Sequence, residues 1–450
     1  MKRFSPWTMV LLLLVADAAA GQRPSGWRAG VASVPITPKE PIWLAGYGSR
    51  TRPSGEVLQD IHAKALALED ETGAVTVLVT IDLLGFSRLL SDQVAERAWQ
   101  EFGLSRDRLG LNFSHTHSGP VTGEVLRPAY PLEEEHLQVV RRYTRRVLDE
   151  IVKVIGQSME RLSPARLSFG QGSAGFAVNR RRARTGKRHL PGPVDHDVPV
   201  LAVRGVDGGL RAVVFGYACH ATVLSGYQIN GDWPGFAQES VQEKHPGATA
   251  LFVTGCGADA NPLPRRSVQM ARHYGQILAY AVDLVLDTEM APVRGPLKSA
   301  FERVAIPFSK PPSRRELEAR VGRDSGMARR HAQFLLDRIE REGRLPDSYP
   351  YPIQVWQFGN DLTLIHLAGE VVVEYSLRLK GAHGWDRVWV AGYSNEVFAY
   401  IPSLRVLKEG GYEGAGAMIP YGQSGPFRAP VEEIIVEKVG ELVNRGAAAF

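Results

Sequence analysis

The sequence predicts an α/β (α+β) fold, with mixed β-sheets flanked by helices in a single large domain. Two observations support this prediction. Apolar, strand-like runs alternate with long segments of helical periodicity, and several neighbouring runs are joined by hairpin turns, so the sheets are mixed rather than purely parallel. Of the 450 residues, 44% are hydrophobic and 22% are charged. These proportions exclude collagen, coiled coil and wholesale disorder.

The first 20 residues have the pattern of a secretory signal. Lys2 and Arg3 make the N-terminal region positively charged, residues 9–16 are apolar, and the small residues Ala18, Ala19 and Ala20 are typical of a cleavage site. The apolar run is shorter than the roughly 20 residues needed to span a bilayer, and no later segment is long and apolar enough. We therefore expect residues 21–450 to be exported, to a periplasm or to the exterior, without a transmembrane segment.

The alternating elements follow from residue 63 onward. Turns at 70–73 and 207–209 separate paired apolar runs, and Pro234 suits the first turn of a helix. The predicted strands are 63–68, 75–80, 109–113, 198–203, 210–218, 250–254, 299–307, 353–367 and 387–392. The predicted helices are 88–102, 132–160, 234–244, 267–289, 313–341 and 430–446. No change of composition marks a domain boundary, although a new run of strands begins after residues 292–296.

Charge and cysteine content narrow the class of protein. Lys and Arg exceed Asp and Glu by 53 to 48, a net charge of +5 that does not indicate a nucleic-acid partner. Two cysteines exclude an all-cysteine metal site. In an exported protein Cys219 and Cys256 are either joined in a disulfide or remain two buried thiols on strands. The basic stretch 180–188 is either a solvated loop or a surface attracted to an acidic substrate or, peripherally, to an anionic membrane.

Two histidines stand at the end of a predicted strand. His115 and His117 belong to the run Ser-His-Thr-His-Ser-Gly-Pro at 114–120. Residues i and i+2 of a strand point to the same face, so both rings are expected to face one cleft. Neutral imidazole is a common zinc ligand, whereas a lone histidine there would more often be a packed core residue. The pair therefore favours a functional site.

Three further segments place polar residues after an apolar strand, where α/β folds usually build their sites. His220 ends one strand, and Asp232 beyond it is either a helix cap or a carboxylate that orients a ligand histidine. Asn261 follows a glycine-rich turn. This turn either brings backbone N–H groups to a ligand or is a structural Asx turn without a role in binding. Glu370 ends another strand, where a carboxylate is costly unless it is paired or bound to metal.

The motifs favour metal-dependent hydrolysis. Two histidines and one carboxylate make a catalytic zinc set with an open coordination position. The metalloprotease motif H-E-x-x-H, the nucleophile elbow G-x-S-x-G, the P-loop and a G-x-G-x-x-G after a strand are all missing from the sequence. Chemistry that depends on a nucleotide is therefore not indicated.

Together these segments resemble the neutral/alkaline (non-lysosomal) ceramidase family, zinc-dependent amidases that cleave the N-acyl bond of ceramide. The resemblance runs from Val-Pro-Ile-Thr-Pro at 34–38 to about residue 427 and rests on His-Thr-His-Ser-Gly-Pro, Cys-His-Ala-Thr, Ala-Gly-Glu and a late pair of tyrosines. It implies that one zinc ion is bound by four residues, His115, His220, Glu370 and Tyr400. It implies substrate-facing or catalytic roles for four more, His117, Arg180, Asn261 and Tyr412.

The resemblance also implies an exported amidohydrolase that uses a zinc-bound water on ceramide or a related small N-acyl substrate. The sequence departs from the family at Asn261, which stands where the family has a serine proposed as catalytic. A serine mechanism is therefore not expected, and Asn261 would orient the substrate. The sequence also ends before an immunoglobulin-like C-terminal domain of the family could fit, so residues 21–450 are expected to form the catalytic unit alone.

Two alternatives to the amidase remain open. One keeps the metal but changes the bond, to an ester, an acylated amino sugar or a phosphoester. The other is an exported binding protein without catalytic activity. An apolar groove beside the zinc would favour a lipid amide, and a polar groove would favour a sugar or peptide.

Overall fold

The computed structural model describes residues 26–181 and 192–447 and confirms a mixed α/β fold. The predicted signal at 1–20 and most of the basic stretch 180–188 lie outside the described residues. Within those ranges, no helix combines the length and apolarity needed to cross a bilayer.

The strands and helices are numbered in chain order. The strands are β1 Trp27–Pro35, β2 His62–Glu69, β3 Val75–Ile81, β4 Leu109–Phe113, β5 Ser163–Ser173, β6 Ala177–Asn179, β7 Asp197–Gly205, β8 Leu210–Tyr217, β9 Thr249–Thr254, β10 Ala260–Pro262, β11 Ala291–Val293, β12 Leu297–Pro307, β13 Ser348–Phe358, β14 Leu362–Leu367, β15 Glu370–Val371, β16 Val388–Ala391 and β17 Tyr400–Ile401. The α-helices are α1 Arg88–Phe102, α2 Glu134–Glu160, α3 Asp232–Lys244, α4 Val268–Leu286, α5 Arg314–Arg323, α6 Gly326–Glu342, α7 Val373–His383, α8 Leu404–Glu409, α9 Gly411–Gly414 and α10 Val431–Ala447. Short 3-10 helices lie at Arg106–Arg108, Arg127–Ala129 and Gly416–Met418.

Two sheets pack face to face between layers of helices. The large sheet has the strand order β4-β3-β2-β1-β5-β7-β8-β9, with β11 beside β5, and the small sheet has the order β12-β13-β14-β16. In β2, Ala63 and Ala65 point to the helix side, while Leu66 and Leu68 join a core shared with the small sheet. This alternation follows from the two-residue period of a strand. Helix α2 covers β1 and β2, and α10 covers the outer face of β12 and β13.

A buried amide brings the two edges of the large sheet together. Asn112, on edge strand β4, is fully buried. Its side-chain oxygen accepts the backbone N–H of Thr254, the last residue of edge strand β9, at 2.8 Å. Its amino group donates to the carbonyl of Gly392, just after β16, at 2.8 Å and to Ser394 Oγ at 3.2 Å. One side chain thus joins the ends of three strands.

The predicted elements agree with the structure except in two places. The single helix expected at 313–341 is two helices, because Asp324 and Ser325 are extended and Gly326 has a left-handed φ of 56°. The single strand expected at 353–367 is the hairpin of β13 and β14, which turns at Gly359 with a φ of 51°. The elements that were not predicted are β1, β5, β6, β10, β11, β15 and β17 and the helices α7, α8 and α9.

We predict that Asn112→Ala destabilises the protein by about 2 kcal/mol, since it leaves the buried N–H of Thr254 without a partner and removes one of two donors to the carbonyl of Gly392. Thermal and urea unfolding of the wild-type protein and of the variant measure the change in stability. Asn444→Ala, an exposed position on α10, is the matched control and should leave stability nearly unchanged. Equal midpoints for the Asn112 variant and the control would show that the amide does not hold the strand ends.

Candidate metal centre and active site

Four candidate residues meet where strands end. His115 follows β4, His220 follows β8, and Glu370 begins β15 directly beyond β14. Tyr400 begins β17 and is the register partner of Glu370 in a parallel pair. The side chains of His115, His220, Glu370 and Tyr400 are all buried. The structure therefore brings together the four residues that the resemblance implied.

The two histidines are held in a defined tautomer by backbone carbonyls. His115 Nδ1 is 2.7 Å from the carbonyl of Leu84, and His220 Nδ1 is 2.9 Å from that of Gly257. A carbonyl only accepts, so each Nδ1 carries the proton and each Nε2 presents a lone pair. The glycine-rich turn thus supplies a carbonyl for His220 rather than the N–H groups for a ligand that were expected from the sequence.

Neighbouring donor atoms of the four residues lie close together, as the ligands of one metal ion do. His220 Nε2 lies 2.9 Å from Glu370 Oε2 and 3.2 Å from the hydroxyl of Tyr400, and His115 Nε2 lies 3.2 Å from Glu370 Oε2. In a tetrahedral zinc site with bonds of about 2.0–2.1 Å, ligand atoms are about 3.3 Å apart. The observed spacing and the N/O donor set fit such an ion.

The charge state of these groups also suits a cation. Burial lowers the pKa of His220 to about 4, with Arg180 adding to the effect. Burial would raise the pKa of Glu370, but His115 and His220 hold it well below its usual value. At neutral pH, His220 is neutral and Glu370 is ionised, which are the protonation states that metal binding requires.

His117 belongs to the same cluster. Ring nitrogens of His115, His117 and His220 lie within 4.8 Å of one another, so a three-histidine ligand set is also geometrically available. Both nitrogens of His117 are buried without a hydrogen-bond partner, and burial and the two neighbouring histidines hold its pKa well below its usual value. The rings of His115 and His117 face one cluster, as expected, with centroids 5.0 Å apart. Strand alternation is not the reason, because the strand ends at Phe113 and His115 has a left-handed φ of 55°.

An N-terminal loop that sequence reasoning missed positions His117. Gly46 has a φ of 93°, and a Cβ there would lie 2.3 Å from Cγ of His117. The Tyr47 ring packs edge-on against the imidazole, with centroids 4.9 Å apart. Arg50 donates to the carbonyls of His117 and Ala45. Glycine is needed at position 46 because both the close approach and the backbone angle exclude a side chain.

Arg180 connects the cluster to Asn261. Its guanidinium donates to the hydroxyl of Tyr400 at 3.0 Å, to Glu413 at 2.7 Å and to Asn261 Oδ1 at 3.4 Å. Burial alone would lower the pKa of Arg180, but Tyr400 and Glu413 raise it well above its usual value. Asn261 lies on β10, paired with β6, rather than in an Asx turn. Glu413 also binds Arg181 and was not predicted.

Tyrosines surround the candidate metal ligands. Tyr412 is 42% exposed, and its ring centroid is 5.2 Å from that of Tyr400, so it stands at the edge of the site rather than inside it. Tyr421, which the sequence did not indicate, is buried and donates to Glu370 Oε1 at 2.5 Å. Tyr393, which follows Glu370 downstream and was noted from the sequence, packs against His115 with ring centroids 4.5 Å apart and planes tilted by 44°.

Two open alternatives from the sequence are resolved. Asp232 is neither the cap residue nor a partner of a ligand histidine: the cap is Gly231, and Asp232 is the first residue of α3. Its carboxylate accepts the backbone N–H groups of Val223, Leu224 and Trp233. It therefore fixes the turn that follows His220. Cys219 and Cys256 are free, buried thiols.

The comparisons with known proteins agree with the resemblance. The family model described as neutral/alkaline non-lysosomal ceramidase, N-terminal, matches residues 27–260, more than half of the chain. This protein therefore belongs to that family. The neutral ceramidase of Pseudomonas aeruginosa is 26% identical over an alignment of 266 residues, and this alignment covers 55% of this chain and 38% of that protein. The match thus spans well under half of that relative's length.

Solved structures share the fold over nearly the whole chain. The crystal structure of neutral ceramidase from Pseudomonas aeruginosa superposes with a TM-score of 0.72 at 20% identity, covering 94% of this chain and 75% of that one. A ceramidase complexed with C2 superposes with a TM-score of 0.73 at 18% identity, covering 93% and 76% of the two chains.

We predict that Tyr421→Phe weakens metal binding by about 10–100-fold, because it removes the hydroxyl that fixes Glu370. Competition for zinc with a chromophoric chelator measures the affinity. Tyr280→Phe is the control, since Tyr280 is 63% exposed on α4. Unchanged affinity in the Tyr421 variant would show that Glu370 is oriented without it.

We predict that Gly46→Ala displaces the His117 ring and lowers stability by about 1–2 kcal/mol, because alanine is strained at this backbone angle. Gly175→Ala is the control, since a Cβ there meets nothing within 4 Å. Thermal unfolding and the NMR chemical shifts of the His117 ring report the two effects. Wild-type values for both would contradict the proposed role of Gly46.

Proposed function

We propose that this protein is a zinc-dependent amidohydrolase that cleaves the N-acyl bond of ceramide or of a related small N-acyl substrate. The observation that carries the proposal is the spacing of four donor atoms. His220 Nε2 and His115 Nε2 lie 2.9 and 3.2 Å from Glu370 Oε2, and His220 Nε2 lies 3.2 Å from the hydroxyl of Tyr400. Family membership supports the reaction class, and the relative from Pseudomonas aeruginosa is a neutral ceramidase.

The four residues would hold Zn²⁺, and water or substrate would then need a fifth coordination position. A zinc ion bound there would polarise a carbonyl oxygen and acidify water at neutral pH. The protein's contribution is to fix the donors before the ion arrives, through the carbonyls of Leu84 and Gly257 and the hydroxyl of Tyr421. Such preorganisation removes the cost of rearranging the site during the reaction.

His117 is the proposed proton carrier. Its imidazole is neutral at pH 7, and both ring nitrogens are without a partner among the described residues. It can accept a proton from the attacking water at one nitrogen and deliver it to the leaving amine. Tyr412, at the edge of the site, is the second candidate to stabilise the oxyanion or protonate the amine.

Asn261 and Arg180 are proposed to orient the substrate. A guanidinium only donates, so the Asn261 atom facing Arg180 is the amide oxygen. The amino group of Asn261 then turns away from Arg180, where its two N–H groups can bind a substrate oxygen. Asn261 is not a nucleophile, since a neutral amide cannot replace the serine hydroxyl of the family.

We also propose that residues 21–450 act as one catalytic unit and that the protein is exported after cleavage of residues 1–20. The two sheets support the single unit, because they share one apolar core that includes Leu66 and Leu201 from the large sheet and Trp356 and Leu364 from the small one. Mass spectrometry of the protein isolated from culture fractions tests the export proposal by its N-terminus and location.

We predict that the purified protein binds about one zinc per chain and that His220→Ala loses both zinc and amide hydrolysis, the latter by at least about a hundredfold. Elemental analysis measures the zinc content, and an assay with N-dodecanoyl-sphingosine and other N-dodecanoyl amides measures hydrolysis. His273→Ala, which changes an exposed histidine on α4, is the control and should keep both zinc and activity. Full metal content and activity in the His220 variant would overturn the ligand assignment. Ester turnover with no amide turnover would replace the amidase with an esterase.

A further inference from the structure

We infer that Tyr393 is a further catalytic residue, whose phenolic hydroxyl donates a hydrogen bond to the carbonyl oxygen of the substrate as that oxygen becomes negative. This inference rests on the proposed amidase function and adds a residue to its mechanism. Three observations carry it: the position of the ring beside two candidate ligands, a strained backbone, and a buried hydroxyl without a partner among the described residues.

The Tyr393 ring lies beside both candidate histidine ligands. Its centroid is 4.5 Å from that of His115 and 6.0 Å from that of His220, to which it is perpendicular. The exposed fractions of Tyr393 and His115 are 0%, and that of His220 is 1%. Tyr393 is therefore buried to the same extent as the two histidines, and a substrate carbonyl that reaches the metal position comes close to this tyrosine.

The backbone of Tyr393 is tied to both segments that carry these ligands. Its N–H donates at 3.0 Å to the carbonyl of Gly369, directly before Glu370, and its carbonyl accepts at 3.2 Å the N–H of Phe113, two residues before His115. The φ of Tyr393 is 50°, a left-handed angle that is unfavourable for a bulky residue. Strained residues of this kind cluster at active sites, and here the strain places an aromatic ring between two ligand-bearing segments.

The Tyr393 hydroxyl is buried without a hydrogen-bond partner among the described residues. Four other tyrosines in that part of the chain are also less than 2% exposed, and each of their hydroxyls has a protein partner. These are Tyr130, Tyr217, Tyr351 and Tyr375. A buried hydroxyl that is left unpaired destabilises the folded state. Its presence beside the candidate ligands therefore favours a partner that arrives with the substrate.

Two charged residues of the candidate site act on this hydroxyl. Burial raises the pKa of Tyr393 well above its usual value, and Glu370 adds to the rise whereas Arg180 opposes it. A phenol that keeps its proton can donate one hydrogen bond. The hydroxyl is therefore suited to bind a negative oxygen, rather than to act as the acid or the base of the reaction.

A buried donor of this kind suits the attack of water on the amide. The oxygen of water joins the acyl carbon, and the electron pair of the C=O bond moves onto the carbonyl oxygen. A hydrogen bond to that oxygen is stronger in the transition state than in the ground state, so it lowers the barrier. When the C–N bond breaks, the electron pair reforms the C=O bond. One proton of water passes to the leaving nitrogen, the other stays on the fatty acid, and Tyr393 keeps its own.

The test uses Tyr393→Phe, which removes only the hydroxyl, in the zinc-loaded protein with N-dodecanoyl-sphingosine as substrate. We expect kcat to fall by about a hundredfold with KM nearly unchanged, as when an oxyanion donor is lost. Zinc affinity, measured by competition with a chelator, should stay at the wild-type value, because Tyr393 is not proposed as a ligand. Tyr143→Phe is the matched control and should retain the wild-type kcat, since the Tyr143 hydroxyl donates to the carbonyl of Ile36 at 2.8 Å.

Thermal unfolding of the zinc-free proteins gives a readout that does not depend on activity. Tyr393→Phe should unfold at a higher temperature than the wild type, because it removes an unpaired buried hydroxyl. Tyr143→Phe should unfold at a lower temperature, because it breaks a buried hydrogen bond. A lowered midpoint for Tyr393→Phe would show that its hydroxyl has a structural partner, such as a fixed water, and would overturn the inference.

A wild-type kcat in Tyr393→Phe, or a loss of zinc that accounts for its lower activity, would also overturn the inference while leaving the amidase proposal intact. If the wild type cleaves a dodecanoyl ester but no amide, the amidase proposal fails, and the same comparison of kcat on the ester decides the role of Tyr393. If the wild type hydrolyses neither bond, the amidase proposal and the inference both fail.

Discussion

The buried amide of Asn112 is the contact on which the rest of the structure depends. A sheet with the order found here has its first and last strands, β4 and β9, at opposite edges. The Asn112 side chain joins the ends of these strands by hydrogen bonding to both Thr254 and Gly392. Because His115 lies three residues beyond Asn112, the same contact places His115 close to His220.

The site is assembled by polar contacts that lie behind the candidate ligands. Carbonyls of Leu84 and Gly257 set the tautomers of His115 and His220, and Tyr421 holds Glu370. Left-handed backbone angles at His115, Asp232 and Tyr393 concentrate in the same small volume. The surrounding fold must maintain this strain, which is the usual cost of a preorganised site.

Cationic side chains stand on both sides of the candidate metal ligands. Around Tyr400, Arg180 and Arg181 both bind Glu413, and the Arg180 guanidinium lies over the ring of Tyr412. On the other side, Arg50 donates to the carbonyl of His117.

The sequence by itself determined the mixed α/β class, most element positions and the candidate residues at strand ends, because hydrophobic period and turn chemistry are local properties. It could not show Tyr421, Gly46 or Glu413, which reach the site from distant segments and carry no local signal. Tertiary structure alone decided that His115 meets His220, because the contacts that bring β4 and β9 together, between Asn112 and Thr254 and between Thr254 and Phe113, join residues that are 142 and 141 positions apart in the chain.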